Sequence, residues 1–154
     1  MPNTNDIAWF KQEFGAKIAQ AVVGTPLTLD MLAALACQET GYIWQRLRKR
    51  SGLSLADVLA LCVGDSLDRA RTFPTNKGQL VAWPRGKEMF DLARAKLVEI
   101  ARYFPEYKRA ARDPSKFCHG FGIFQYDIQF FKKEPNYFLG RDWEQFEPCL
   151  DKAL

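Results

Sequence analysis

One stretch of the sequence decides how the chain is interpreted: Ala36-Cys37-Gln38-Glu39-Thr40-Gly41-Tyr42. Residues 31–37 are all apolar, and an apolar run of this kind predicts a helix that is buried on all sides. Thr28 is predicted to be the N-cap of this helix, and Asp30 lies in its first turn, where the helix dipole favours a negative charge. Gly41 predicts the end of the helix.

Glu39 continues the buried face of this predicted helix, because it lies one turn after Leu35 and two turns after Leu32. Burial and the negative end of a helix dipole both oppose a charged carboxylate and favour its protonated form. A glycosidase needs such a protonated carboxyl group to donate a proton to the leaving oxygen. The alternative is a Glu39 that points into solvent where the helix ends, and the helix pattern alone favours this alternative.

A second segment is rich in glycine and aromatic residues: His119-Gly120-Phe121-Gly122-Ile123-Phe124-Gln125-Tyr126-Asp127. Glycine lets the backbone approach a ligand closely, and aromatic side chains can stack on sugar rings. The amide of Gln125 is surrounded by apolar sequence, so it needs hydrogen-bond partners or it costs free energy. A tight aromatic turn with a purely structural role is the alternative.

The two segments together resemble the lysozyme-like superfamily, and most of all the goose-type lysozymes and the soluble lytic transglycosylases. A helix that ends in Glu-Ser/Thr-Gly and a later Gly-Phe/Leu-Gly-x-x-Gln segment mark these families. They are matched here by Gln38-Glu39-Thr40-Gly41 and by Phe121-Gly122-Ile123-Phe124-Gln125. The resemblance covers about 30 of the 154 residues, and the two motifs are moderately specific only as an ordered pair.

The resemblance implies a catalytic acid at Glu39 and a substrate-binding glutamine at Gln125. The goose-type pattern Gln-Val-Asp is similar to Gln125-Tyr126-Asp127, which makes Asp127 the candidate second catalytic carboxylate. The remaining residues predicted to bind the sugar are Gly122, Phe124, Tyr126, His119 and Tyr42. No metal ion and no organic cofactor is expected.

The sequence departs from the family in its acidic residues. Goose-type enzymes carry an acidic residue eleven positions before the one that matches Asp127, and this chain has Lys116 there. Asp65, Asp68 and Asp113 are the alternatives for a second carboxylate, although each is better explained as a cap or a solvated charge.

The expected fold is mainly α: a single lysozyme-like helical domain over residues 1–154, with an inserted helical and irregular subdomain at about 45–112. The insertion is predicted because the interval between Glu39 and Gly122 is longer than is usual in the family, and it brings Phe73 and Trp83 near the groove. Further helices are predicted over residues 6–23, 55–62, 86–103 and 143–154. At most, a short β-hairpin is expected in the irregular residues 64–86. The chain stops on its last predicted helix, which suggests a domain excised from a longer protein.

The expected activity is that of a muramidase, a glycosidase that cleaves the β-1,4 bond between N-acetylmuramic acid and N-acetylglucosamine in peptidoglycan. If Asp127 positions a water molecule, the bond is hydrolysed. Without a second carboxylate, the 6-hydroxyl group of the substrate attacks instead, and the anhydro product is that of a lytic transglycosylase. Chitin is the alternative polymer.

Composition is consistent with a globular domain, since 47% of the residues are hydrophobic and 26% are charged, with a net charge of +4. No apolar run is long enough to span a membrane, and the N-terminus lacks the pattern of a secretory signal. We therefore expect synthesis in the cytoplasm and delivery to the cell wall by another route, as for phage endolysins and antibacterial effectors. A neutralising immunity or inhibitor protein is conceivable by analogy with such effectors.

The four cysteines have no zinc-binding spacing and are interpreted as reduced core thiols, with one disulfide left open.

Three rival interpretations remain. Residues 46–58 resemble the first half of a helix-turn-helix DNA-binding module, but acidic Asp65 and Asp68 follow where a recognition helix is needed. A hydrolase that uses His119 with Cys118 is disfavoured, because neighbouring residues seldom point at each other. A catalytically inactive carbohydrate-binding or inhibitory module on the same scaffold is the third; Glu39 and Gln125 together argue against it.

Overall fold

A computed structural model describes residues 1–64 and 72–154. The predicted mainly α fold is confirmed. The helices are α1 (Thr4–Ala21), α2 (Leu29–Leu47), α3 (Leu55–Ala60), α4 (Lys77–Val81), α5 (Gly86–Ile100), α6 (Lys108–Arg112), α7 (Pro135–Leu139) and α8 (Phe146–Ala153). Short 3-10 turns cover Pro105–Tyr107, Ile128–Lys132 and Asp142–Glu144.

Helix α2 begins as predicted but does not end at Gly41. The side chain of Thr28 accepts a hydrogen bond from the Met31 N–H, which confirms it as the N-cap. The helix continues to Leu47. Gly41 is buried against the N-terminal segment, where a Cβ atom would lie 2.6 Å from Cγ of Pro2. The glycine therefore permits close packing rather than a helix stop.

The prediction that the apolar run of α2 is buried on all sides is wrong. Leu32, Ala33 and Ala36 are buried, but Met31 is 54% exposed and Ala34 is exposed as well. The helix covers the core with one face only, so its apolar sequence overstates its burial.

A small antiparallel sheet holds the second motif. Its strands are β1 (Val63–Gly64), β2 (Gly120–Phe121) and β3 (Tyr126–Asp127), in the order β1-β2-β3. Strands β2 and β3 form the expected short hairpin, but it lies in the glycine-rich aromatic segment rather than in residues 64–86. Strand β1 adds a third strand by pairing Gly64 with Gly120.

Aromatic side chains build much of the core. Phe14 and Phe146 stack with ring centroids 4.0 Å apart and thereby join α1 to α8. Helix α5 contributes a stripe of fully buried residues to the same core: Met89, Ala93, Leu97 and Ile100. The largest fully buried side chains are Trp44, Trp143, Phe10, Phe14, Phe104, Phe117, Phe121, Phe131 and Phe138. Many of the aromatic residues in the last third of the sequence therefore serve to pack the core.

The predicted helix positions hold elsewhere, with shifted ends. Ser54 caps α3 together with Asp57 in a capping box. Helix α5 begins at Gly86 and ends at Ile100, three residues before the predicted end. The last helix begins at Phe146, because the residues before it form a 3-10 turn.

All four cysteines are free thiols, in agreement with the preferred interpretation. None of the helices in the described parts of the chain is long and apolar enough to cross a membrane.

Candidate functional site

The two motifs found in the sequence are in direct contact. The hydroxyl group of Thr40 on α2 donates a hydrogen bond of 2.6 Å to the carbonyl oxygen of Ile123 in the hairpin turn. Both residues are buried. The fold therefore holds the hairpin turn, with Gln125, against the helix that carries Glu39.

Glu39 lies in the middle of α2, on the helix face that it shares with Leu35 and Tyr42. Its side chain is half-buried. It makes no hydrogen bond or ion pair with any residue of the ranges 1–64 and 72–154. The expectation that Glu39 lies near the negative end of the helix dipole is wrong, since the helix continues for two more turns. Partial burial and the lack of a cationic partner are what distinguish this carboxyl group.

Gln125 has the hydrogen-bond partners that its apolar surroundings require. Its backbone adopts a left-handed conformation, with φ at 54°. Its Nε2 group donates to the carbonyl oxygens of Cys62 at 3.2 Å and Gly122 at 2.9 Å. The Oε1 atom lies over Gly120 and receives no hydrogen bond from the residues that the structure describes. The amide is fixed by its nitrogen, and its oxygen remains available as an acceptor.

Tyr42 extends this polar cluster toward the edge of the sheet. Its hydroxyl group hydrogen-bonds to that of Tyr107. A Cβ atom at Gly64 would lie 2.9 Å from the Tyr107 hydroxyl, 3.2 Å from Oε1 of Gln125 and 3.4 Å from the Tyr42 hydroxyl. Burial raises the pKa of Tyr42, and the hydrogen bond between the two hydroxyl groups opposes this only in part, so Tyr42 stays protonated.

Tyr107 is the residue of this cluster that sequence reasoning missed. It comes from the turn Pro105–Tyr107, 65 residues away from Tyr42 in the sequence. No local pattern links the two tyrosines.

Backbone conformation and close packing explain why residue 122 is a glycine. Its φ of 82° is a conformation that L side chains rarely adopt, and a Cβ atom there would lie 2.5 Å from Sγ of Cys149. Its carbonyl oxygen accepts hydrogen bonds from both the backbone and the side chain of Gln125. Gly122 therefore shapes the turn that positions Gln125, and its carbonyl group is already engaged.

Asp127 caps the turn Ile128–Lys132. Its Oδ1 atom accepts a hydrogen bond of 2.7 Å from the Gln129 N–H. The residue also borders a cavity of about 370 Å³, together with Leu35 and Gln125. It is therefore close to the predicted site, with one carboxylate oxygen used for capping.

Tyr126 and Phe124 line the same cavity, but their rings are packed within the protein. The ring of Tyr126 is nearly parallel to Phe130, at 4.6 Å between centroids, and its hydroxyl group donates to Glu134 at 3.2 Å. Phe124 packs against Phe146 at 5.9 Å. One ring face of Tyr126 is thus covered by Phe130 and is not open to a sugar.

Two further cavity residues, Phe130 and Lys152, were not predicted. Lys152 forms an ion pair with Glu134.

His119 is only 8% exposed and stacks on Phe117, with ring centroids 4.6 Å apart. Its backbone joins the sheet, since its N–H donates to the carbonyl of Gly64 at 3.1 Å. The geometry favours a role of His119 in orienting the glycine-rich segment over the predicted contact with the sugar.

Of the alternative acidic residues, Asp113 has the role of a turn residue. Asp113 is exposed and accepts hydrogen bonds from the side chain and the backbone of Ser115; these hydrogen bonds lower its pKa, as expected for a turn residue. Asp65 and Asp68 lie outside the described residues.

The basic run that resembles a helix-turn-helix module has other roles in this fold. Arg48 and Lys49 both pair with the buried carboxylate of Asp6. Helix α3 is six residues long and leads through Cys62 into β1. A strand therefore occupies the place where the DNA-binding interpretation needs the beginning of a recognition helix.

Within the part of the chain that the structure describes, there is no group of three or more His, Cys, Asp or Glu side chains that could hold a metal ion.

No protein-family model, curated protein or solved structure matches this chain significantly.

Proposed function

We propose that the protein is a peptidoglycan-cleaving glycosidase in which Glu39 is the general acid. The observation that carries the proposal is the contact between the two motifs, through the hydrogen bond from Thr40 to Ile123. The two motifs, 83 residues apart in the sequence at this contact, are thus joined in the fold. Leu35, one turn before Glu39 on the same helix, lines a cavity together with Gln125.

Glu39 suits the role of proton donor. A general acid must be free of a permanent cationic partner, because an ion pair stabilises the carboxylate and disfavours its protonation. Glu39 meets this condition among the described residues, whereas Glu106, beside the end of the same helix, is paired with Arg46 at 3.0 Å.

Gln125 and Tyr42 are proposed to hold the sugar. The free Oε1 atom of Gln125 can accept a hydrogen bond from a hydroxyl or an acetamido N–H group, and its fixed Nε2 group keeps that oxygen in place. Tyr42 remains a neutral hydrogen-bonding group. Gln125 also lines the cavity of about 370 Å³, and preorganised polar groups beside a cavity are typical of a carbohydrate site.

Asp127 decides between two reaction outcomes. With its second carboxylate oxygen it can hold a water molecule on the opposite face of the sugar, which gives hydrolysis. Because Oδ1 is already used to cap a turn, a second candidate function is lytic transglycosylation. In that reaction the substrate's own 6-hydroxyl group forms the new bond, and Glu39 serves first as acid and then as base.

The test is digestion of purified sacculi, with the soluble products identified by mass spectrometry. We expect the wild-type protein to release muropeptides and Glu39→Gln to release about 10²- to 10⁴-fold fewer, the usual contribution of a general acid. A reducing end marks hydrolysis, and an anhydro end marks transglycosylation. A chitin oligomer is digested in parallel to decide between the two polymers.

The matched control is Glu13→Gln, which removes an exposed glutamate from α1 and should leave activity unchanged. Equal product release by wild type and Glu39→Gln, with both proteins folded, would contradict the assignment of Glu39.

A further inference from the structure

A second site lies on the other side of the turn Ile128–Lys132. Phe73 and Trp83 meet edge to face, with ring centroids 5.7 Å apart. The Nζ atom of Lys132 lies 4.0 Å from the centroid of Phe73 and 4.3 Å from that of Trp83. We call these three residues the aromatic corner.

Trp83 is presented by a tight turn between α4 and α5. The Trp83 N–H donates to Leu80 at 3.0 Å, and the Gly86 N–H donates to the Trp83 carbonyl at 2.7 Å. A Cβ atom at position 86 would overlap the Leu80 carbonyl group, so only glycine fits. Arg85 ties the turn to α7 through Asn136 at 3.4 Å. The indole ring is thus fixed, although 38% of Trp83 is exposed.

Lys132 is a cation without an anionic partner in residues 1–64 and 72–154. Arg85 and Lys87 at the start of α5 are paired with Glu88 and Asp91. Lys77 of α4, like Lys132, has no anionic partner among the described residues, but its Nζ atom lies 4.5 Å from the centroid of Phe90 rather than beside Trp83. The aromatic rings hold the Lys132 ammonium group in place by cation–π attraction but neutralise no charge. Its N–H donors therefore remain available to a carboxylate from outside the protein.

We propose that the aromatic corner binds a carboxylate-bearing saccharide, with the sugar ring against Trp83 and the carboxylate on Lys132. An exposed, fixed indole suits the apolar face of a pyranose, and an unpaired ammonium group beside it selects an anionic substituent over a neutral one. Peptidoglycan carries such carboxylates on its peptide stems, whereas chitin has none. The choice of peptidoglycan rests on the proposed function; the preference for an anionic saccharide rests on the corner alone.

The corner adjoins the cavity beside Gln125. Phe130 lines that cavity, and Lys132 follows two residues later in the same 3-10 turn, which advances about 2 Å per residue. A polymer long enough to pass around this turn would contact both places. The corner would add affinity and charge selectivity without contributing to bond cleavage.

The experiment measures binding in the Glu39→Gln protein, so that cleavage does not remove the ligand. Sedimentation with sacculi gives the affinity for the polymer, and titration with muramyl dipeptide or chitotetraose compares an anionic with a neutral saccharide. We expect Trp83→Ala and Lys132→Gln each to weaken sacculus binding about tenfold. Lys132→Gln should also abolish the preference for muramyl dipeptide.

Controls separate binding from folding. Trp83→Phe and Lys132→Arg keep the ring and the charge and should retain most of the binding, while Lys87→Gln removes a paired surface lysine and should have no effect. Unchanged sacculus binding by both Trp83→Ala and Lys132→Gln would overturn the proposal, as would a stronger, Lys132-dependent affinity for duplex DNA. If Glu39→Gln keeps full activity, the proposed function fails, while the binding data still decide on the corner.

Discussion

At the scale of single residues, the side chain of Gln125 depends on two glycines with different tasks. Gly120 leaves room for the amide, because a Cβ atom there would overlap Oε1 of Gln125. Gly122 supplies the left-handed turn and packs against Cys149. Gly120 is therefore needed for the position of the Gln125 amide, and Gly122 is needed for the turn and for packing of the core.

Alanine substitutions separate these two tasks. In Gly120→Ala the added methyl group would displace the amide of Gln125 from its hydrogen bond with Cys62, so we expect muropeptide release to fall at least about tenfold. The free energy of unfolding should fall by only about 1 kcal/mol, the usual value of one hydrogen bond. Product release from sacculi and urea denaturation measure the two effects.

Gly122→Ala provides the comparison. It combines a strained backbone with a clash against Sγ of Cys149 in the buried core, so the free energy of unfolding should fall by about 2–4 kcal/mol. A Gly120→Ala protein that is as active as wild type would show that the position of the Gln125 amide is unimportant.

At the scale of elements, a single buried hydrogen bond holds the β2–β3 hairpin against α2. Thr40 lies on α2 one residue after Glu39, and its hydroxyl group reaches the carbonyl of Ile123 at 2.6 Å. Without this bond the Ile123 carbonyl would lose a partner in a buried position, and the hairpin could shift relative to Glu39.

Thr40→Val keeps the shape of the side chain and removes the hydroxyl group. We expect the free energy of unfolding to fall by about 1–3 kcal/mol, because a buried carbonyl oxygen loses its donor, and activity on sacculi to fall with it. Thr40→Ser keeps the hydroxyl group and should retain more activity than Thr40→Val. The reverse order of the two variants would contradict a role for this hydrogen bond in positioning the hairpin.

At the scale of the whole molecule, Asp6 joins the start of α1 to the end of α2. Its buried carboxylate binds Arg48 at 2.5 Å and Lys49 at 2.8 Å, and it also accepts the Asn3 N–H in the capping box of α1. Burial raises the pKa of Asp6, but the hydrogen bonds from Lys49, Asn3 and Arg48 together outweigh it and hold that pKa far below its usual range.

This arrangement predicts a loss of stability in acid. The pKa of Asp6 is lower in the folded state than its unfolded value of about 3.9. The ionised carboxylate therefore contributes fully to the free energy of unfolding above about pH 3.9, and this contribution is lost as the pH falls further. Asp6→Asn should lower the free energy of unfolding at pH 7 by about 3 kcal/mol, as expected for a broken buried ion pair. It should also flatten the decline of stability below about pH 4. Denaturation curves at several pH values test both effects.

Asp91→Asn is the control, because it breaks an exposed pair with Lys87 and should change stability by less than about 0.5 kcal/mol. If Asp6→Asn and wild type lose stability in parallel below pH 4, Asp6 is not the group responsible.

The sequence by itself determined the mainly helical fold, the start of α2 at Thr28 and the two segments that meet at the candidate site. These features depend on local spacing, since caps, turns and helix faces involve residues within about one turn of each other. The apolar sequence around Gln125 also indicated that its amide needs hydrogen-bond partners, but it did not identify the carbonyl group of Cys62 as one of them.

Only the tertiary structure decided the roles that depend on distant neighbours. Gly41 has the same sequence signal as a helix stop, yet Pro2 packs against it and the helix continues. Tyr107 reaches Tyr42, and Lys132 reaches Trp83, across long stretches of sequence. The physical reason is that a glycine or an aromatic residue suits several environments, and the choice among them is made by whichever distant side chain packs there.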